Sequence, residues 1–362
     1  MAIWKIDELG EFVTLKRGYD LPQQKRKNGE ISIFSSSGVT GTHNEAMVEA
    51  PGVITGRYGT IGEVFFAETS FWPLNTTLYV ENFHENDEKF VYYFLKTLEW
   101  KKFASASAVP GINRNTVHKE IVRFPDFETQ QKIASVLSTI DKKIAVNKAI
   151  NDNLEQQAAA LFSSLYNRSN TEVRYTDLIQ ILGGGTPKTG ETAYWNGNIA
   201  FFTPKDVGTP YTFITEKTIT EEGLSHCNSR LYPVNTVFVT ARGTVGKVGL
   251  SGIPMAMNQS CYALVGKETH QLLVYFYTLK AVDRLKHKAS GAVFDAITTR
   301  DFDSEQIMKL SDDDAKAFLC VAEPMFQEML NNSIENLRLS TLRDFLLPKL
   351  MSGEIDVSSV QL

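Results

Sequence analysis

Two stretches of the chain carry apolar residues on a seven-residue period, and they occupy equivalent places in its two halves. Between Glu128 and Tyr166 one row reads Ile133, Ile140, Asn147, Leu154 and Leu161, and the row beside it Leu137, Ile144, Asn151, Ala158 and Leu165. Between Asp312 and Met351 the matching rows read Phe318, Met325, Asn332, Leu339 and Leu346, then Ala322, Met329, Asn336, Arg343 and Leu350. So narrow a seam is what a coiled-coil pair buries, with charges left on the outer faces. Each seam is interrupted by two asparagines one turn apart, at the same phase. A seam amide weakens packing but sets register, because a misaligned partner leaves it unpaired. Antiparallel pairing predicts that Asn147 and Asn151 meet Asn336 and Asn332 in one polar layer; the competing reading has these amides facing solvent. The expected helix-pairing set is Ile140, Ile144, Asn147, Asn151, Leu154, Met329, Asn332, Asn336 and Leu339. Pro324 removes one helical hydrogen bond, so the turns carrying Phe318 are expected to be kinked away or to form a separate short helix.

The segments ahead of the two seams repeat as well. Gly59-Thr60-Ile61-Gly62-Glu63-Val64 matches Gly243-Thr244-Val245-Gly246-Lys247-Val248, each after an apolar strand-like run, Val53-Ile54 and Val237-Phe238-Val239. Asn75 and Asn258 follow at similar distances, ahead of Leu78-Tyr79-Val80 and Tyr262-Ala263-Leu264-Val265. Amphipathic helices come next, around Glu88–Phe103 and Gln271–Lys288, and then Ala108-Val109 with Ile112 and Ala292-Val293 with Ile297. Phe90, Tyr93, Phe94, Tyr275 and Phe276 fall at helical spacing and are expected in cores. Elsewhere the halves diverge, as two readers of different targets on one scaffold would.

Composition narrows the class. At 362 residues, 43% hydrophobic and 22% charged, the chain can bury two cores and is not disordered overall. No run of about 18 apolar residues occurs, and Met1-Ala2-Ile3-Trp4-Lys5-Ile6-Asp7-Glu8 lacks the order of a signal peptide, so no membrane association and a cytoplasmic location are expected. Cys227, Cys261 and Cys320 have no paired spacing, which argues against disulfides or a zinc knuckle. A net charge of −5 excludes coating of nucleic acid by charge alone, so any DNA contact must be local or shared with a partner.

The order and duplication of these motifs resemble the specificity subunit of type I restriction-modification systems over nearly the whole chain. Gly-Thr-Ile-Gly and Gly-Thr-Val-Gly carry the resemblance within the halves, and Asp141, Ile144, Asn147, Leu154-Glu155 and Leu161-Phe162 carry it in the first seam. Leu342-Arg343-Asp344-Phe345-Leu346-Leu347-Pro348-Lys349-Leu350-Met351-Ser352-Gly353-Glu354-Ile355 is similar to the family's closing segment. The loop openings depart from each other: Arg17-Gly18-Tyr19-Asp20 in the first half, Gly183-Gly184-Gly185-Thr186-Pro187 in the second. The resemblance implies an α+β chain with two globular target-recognition domains in a pseudo-two-fold repeat, separated by two long antiparallel coiled-coil helices. The expected division is 1–127 and 169–311 for the domains, 128–168 and 312–351 for the helices, and 352–362 for a tail. It further implies double-stranded DNA as ligand, each domain reading half of an asymmetric bipartite target. Two adenine-methyltransferase subunits and restriction/translocase subunits are the implied partners, and S-adenosylmethionine, ATP and Mg belong to those partners. About 35 residues of helix span roughly 50 Å, enough to hold half-sites about 34 Å apart.

The residues themselves supply no reaction centre. No Asn/Asp-Pro-Pro-aromatic run for an extruded adenine is present, and in Gly183–Thr189 Pro187 precedes Lys188 where a phosphate loop needs Gly-Lys-Ser/Thr. The six histidines are scattered, so no metal site and no catalytic residue are expected. For DNA, cations and amides in loops are the candidates, since phosphate contacts position and base-edge contacts specify. These are Lys16, Arg17, Lys25, Arg26, Lys27, Arg57, Tyr58, Asn113 and Arg114 in the first half, and Lys188, Lys205, Arg242, Thr299 and Arg300 in the second. Exposed cations usually just solvate a face. Two other classes compete with a DNA reader: a coiled-coil adaptor joining two protein-binding domains, and a small-molecule enzyme using the glycine loops as phosphate sites.

Overall fold

The computed structural model describes residues 3–105, 110–208, 210–288 and 296–360. The motifs Ala108-Val109 and Ala292-Val293 lie outside the described residues. Four helices organise the chain: α1 (Glu88–Thr97), α2 (Phe127–Arg168), α3 (Gln271–Lys288) and α4 (Asp312–Ser352). The chain divides into two compact units, residues 1–145 with 336–362, and residues 146–335. Each long helix therefore contributes to both units, its seam residues being buried in the two domain cores.

In unit one, an antiparallel sheet runs in the order Thr14–Arg17, Thr77–Asn82, Gly52–Gly56, Val64–Ala67. A three-stranded sheet places Ile31–Ser35 between Gly38–His43 and Phe71–Pro73, the last pair parallel. Trp4–Glu8 pairs with Ile121–Pro125 as a separate ribbon. Asp87 starts α1 by accepting the Phe90 N–H at 2.8 Å, and Phe90, Val91, Phe94 and Leu95 then fall on the buried face. That face meets Leu9, Phe12 and Phe124, and the same core takes in Ile133 and Leu137 of α2 with Leu350 and Met351 of α4. The first segment of α2 and the last of α4 thus run antiparallel, and Arg343 Nη1 donates to Asp141 at 2.8 Å between them.

Unit two repeats the plan. Its larger sheet runs Ile179–Gly183, Cys261–Gly266, Val237–Thr240, Val248–Ser251, with Tyr211–Thr212 added in parallel at the edge. Trp195–Phe202 lies between Lys217–Ile219 and Met255–Met257, and Thr171–Arg174 pairs with Gln306–Lys309. The core joins Phe276 of α3 to Phe162 of α2 and to Phe318 and Phe326 of α4. Seam packing again makes the helices antiparallel: Phe162 meets Phe318 at 5.5 Å between ring centroids, and Asn332 Nδ2 donates to Asn151 Oδ1 at 3.0 Å. Asn151 Nδ2 also reaches Ser333 Oγ and the Met329 carbonyl, both at 3.2 Å, while buried Asn147 donates to Glu335 at 2.6 Å.

Two expectations about the seams are corrected. Helix α4 runs through Pro324 without a break, so Phe318 does not sit on a separate helix. A mid-helix proline costs about 3 kcal/mol. The burial of Phe318, Ala322, Phe326 and Met329 on both sides of it outweighs that loss. The seam of α2 also shifts by one residue near its end, where Phe162 is fully buried and Leu161 only partly.

One half-buried histidine gives unit one a contact expected to be sensitive to acid. The Leu15 N–H donates to His118 Nε2 at 2.9 Å, a contact open only to the neutral ring. Burial, and then the charges of Arg114 and His84, hold the His118 pKa below its ordinary value. With the folded pKa depressed, stability is full above the unfolded value of about 6.5 and falls as pH drops through it. The melting temperature of unit one is expected to fall between pH 7.5 and 5.5. His118→Gln, which keeps an acceptor without titrating, should flatten that slope; parallel profiles for the two proteins would count against the assignment.

Candidate nucleic-acid interface

Each unit gathers three loops at the end of its larger sheet, and the same backbone contacts join them. In unit one the Gly52–Gly56 strand leaves into Arg57-Tyr58-Gly59-Thr60, where the N–H groups of Arg57 and Tyr58 both donate to the Thr76 carbonyl, at 2.9 and 3.2 Å. In unit two the N–H groups of Ala241 and Arg242 donate to the Ser260 carbonyl, at 2.8 and 3.2 Å. Gly59 and Gly62, and Gly243 and Gly246, all have φ between 74° and 91°, the left-handed region that a side chain resists. Those glycines make the turn.

The third loop brings in the residues after the undescribed segments. Ile112 donates its N–H to the Arg57 carbonyl and its own carbonyl accepts from Arg57 Nε, at 3.1 and 3.0 Å. Tyr58 pairs with Gly111, and the Arg57 guanidinium lies 4.5 Å above the Tyr58 ring. A cation held by a carbonyl and a ring face has little rotamer freedom left to lose on binding a ligand. Asn113 then caps the short helix Arg114–His118, its side chain accepting the Asn115 N–H at 3.0 Å. In unit two Ile297 donates to the Ala241 carbonyl at 2.9 Å, Arg242 pairs with Ala296, and Thr298 caps the helix Thr299–Ser304 through a capping box with Asp301. Arg114, Arg242, Thr299 and Arg300 are exposed.

The remaining candidates fall elsewhere. Lys16 is paired with Glu81, and Arg17 is exposed at the end of the strand beside it. Lys25 ends the turn Gln23–Lys25, and Arg26 and Lys27 lie against the Gly38–His43 strand: the Lys27 N–H donates to His43 Nδ1 at 3.0 Å, and Arg26 passes beside Gly41. Exposed Lys188 lends its carbonyl to Trp195 Nε1 at 3.2 Å. Lys205 forms an exposed ion pair with Glu216 at 3.4 Å, worth little in water. Among the described residues no group of histidines, cysteines and carboxylates could hold a metal, and His226 stacks on Tyr194 at 4.9 Å.

The equivalence of Asn75 with Asn258 is corrected by one residue. Leu74 and Asn258 hold the same place, donating to the Phe34 and Phe202 carbonyls at 2.8 and 3.0 Å, so Asn75 corresponds to Gln259. Both side chains are tied to the opening loop, Asn75 to Asp20 and Gln259 to Thr186. These four residues were absent from the candidates; Asn75 and Gln259 each directly precede the residue, Thr76 or Ser260, whose carbonyl accepts the turn N–H groups, a relation the fold supplies and the sequence does not.

A duplicated scaffold with the same loop junction in each copy, but different side chains on it, defines a two-headed recognition protein. The chain belongs to the family of the type I restriction modification DNA specificity domain, which it matches at residues 1–156 and 167–309. The HindI specificity subunit of Haemophilus influenzae is 25% identical, aligned over 72% of this chain and 75% of the relative. The EcoR124I/EcoR124II specificity subunit of Escherichia coli is 29% identical over 52% of this chain and 50% of its own length. In fold, the chain matches the type I restriction-modification S subunit from M. genitalium with a TM-score of 0.66, covering 96% of each chain at 17% identity. DNA sequence recognition is the general role of this family, and the chain is one of its non-catalytic specificity subunits. No helix among the described residues is long and apolar enough to cross a membrane.

Proposed function

We propose that the chain reads one asymmetric, bipartite double-stranded DNA target, with residues 1–127 reading one half and residues 169–311 the other. The recurrence of one loop junction, Arg57 and Tyr58 with Thr76, Ile112 and Gly111, and Ala241 and Arg242 with Ser260, Ile297 and Ala296, carries this reading. The scaffold is constant and the side chains on it are not, as two different half-sites require. Arg57, Tyr58, Asn113, Arg114, Arg242, Thr299 and Arg300 are assigned to the DNA-facing surface. Lys16, Arg17, Lys25, Arg26, Lys27, Lys188 and Lys205 are assigned to phosphates at its margin. The paired segments of α2 and α4 set the unspecified gap and dock two methyltransferase subunits, to which restriction/translocase subunits add. S-adenosylmethionine, ATP and Mg are held by those partners.

Selection from a random double-stranded DNA library, by this chain together with an adenine-methyltransferase partner, is expected to enrich a two-part motif with a constant gap. Arg57→Ala should relax positions in one part only and Arg242→Ala in the other, by about 1–3 kcal/mol at each position read. No enrichment with the partner present would favour an adaptor joining protein-binding domains.

A further inference from the structure

We infer that the layer formed by Tyr93, Asp141 and Arg343 selects pairing between the chain's own two long helices over pairing with the like helix of a second copy. In unit one the Tyr93 hydroxyl donates to Asp141 Oδ2 at 2.6 Å and Arg343 Nη1 donates to Asp141 Oδ1 at 2.8 Å. Tyr93 is 2% exposed, and the Asp141 and Arg343 side chains are 29% and 22% exposed, so the ion pair is largely withdrawn from water.

The repeat supplies the comparison. Positions 185 apart in α2 and α4 are equivalent by the seam rows, which makes Phe326 the counterpart of Asp141 and Ala158 the counterpart of Arg343. Counted from the first residues of α1 and α3, Glu88 and Gln271, Phe276 is the counterpart of Tyr93. In unit two these three lie in one buried apolar cluster, with Phe276 and Phe326 5.7 Å apart. The same layer is ionic in one unit and apolar in the other.

That difference acts against like pairing. If the first long helices of two copies joined in the same register, Asp141 would face Ala158 of the other copy, and its carboxylate would keep only Tyr93. If the second helices joined, Arg343 would face Phe326. The first arrangement leaves the part-buried Asp141 carboxylate without a cation. In the second, Arg343 keeps Asp344 beside it on its own helix but loses the carboxylate across the seam and sets a part-buried guanidinium against a ring; both are costly where the intact pair is not. Both like pairings would otherwise retain the apolar seam and its asparagines, so the charged layer is what discriminates.

The test uses the full chain, expressed in one cell with two different tags, and measures capture of one tag by the other alongside mass by light scattering. An exchange between copies that still joins first helix to second keeps the ion pair, so the wild-type chain already reports it. Y93F/D141F/R343A installs the apolar layer of unit two and is expected to raise mixed-tag capture at least tenfold over wild type. D141N/R343Q, which keeps the shapes and removes the charges, should raise it several-fold. D141R/R343D restores opposite charges and should stay at the wild-type level. The inference is overturned if both neutral variants stay at the wild-type level, or if the charge-exchanged chain is captured as strongly as they are.

Discussion

Phe318→Ala is expected to destabilise unit two by about 3–5 kcal/mol, the range for deleting a buried aromatic ring. Phe318 is fully buried, meeting Phe162 of α2 at 5.5 Å and Phe276 of α3 at 5.2 Å, both edge to face. Three elements close on one ring, so the hole left by alanine has no single neighbour able to fill it. For a unit of this size the melting temperature should drop by roughly 6–20 °C. Helicity near Pro324 should fall with it, since the packing that offsets the proline has been reduced. Val321→Ala, one turn away and 44% exposed, should shift stability by no more than about 0.5 kcal/mol. Circular dichroism melts of the three proteins decide the matter: a Phe318→Ala chain melting within 2 °C of wild type would show that α4 is not anchored there.

The seam shows how much a period can carry. Apolar residues every seven positions located both long helices, because a coiled-coil seam is written into one chain segment at a time; the antiparallel run and the α+β architecture were implied by the family resemblance. What the period does not encode is which of two adjacent apolar residues turns inward at a helix end. Leu161 and Phe162 differ by one position, and the larger ring takes the core because Phe276 and Phe318 leave space for it. Pro324 misleads for a related reason: its local cost is fixed by covalent geometry, while the packing that overcomes it comes from residues about 160 positions earlier.

The loop junction was less legible. The glycine turns announced themselves by sequence, and Arg57 and Arg242 beside them, but the residues tied to the opening loops did not. Asn75 and Gln259 share a place although their residue types and local sequence differ, and it takes the backbone contacts of Leu74 and Asn258, with the carbonyls of Thr76 and Ser260, to reveal the register. The Lys25-Arg26-Lys27 run stands out by charge, yet the fold carries Arg26 and Lys27 to the Gly38–His43 strand, away from the contacts that join the three loops.

Adding one heptad to both long helices, after Ala145 and after Glu335, is expected to abolish recognition of the wild-type target and to select a longer gap. Seven residues preserve the seam phase and add about 10 Å of helix, close to three base pairs of rise. Binding to the original target should fall toward the non-specific level, about a thousandfold or more. The newly selected gap should be two or three base pairs longer. It should also be bound more weakly than the parental pair, because three base pairs rotate one half-site by roughly 100° about the duplex and the DNA must absorb that in twist. A heptad added to one helix alone offsets the partners by two turns, separating Asn151 from Asn332 or Asp141 from Arg343, and should lose binding without gaining a new motif. If the doubly lengthened chain still selects the original gap, the helices do not set the spacing, and the gap must be fixed by the partner subunits instead.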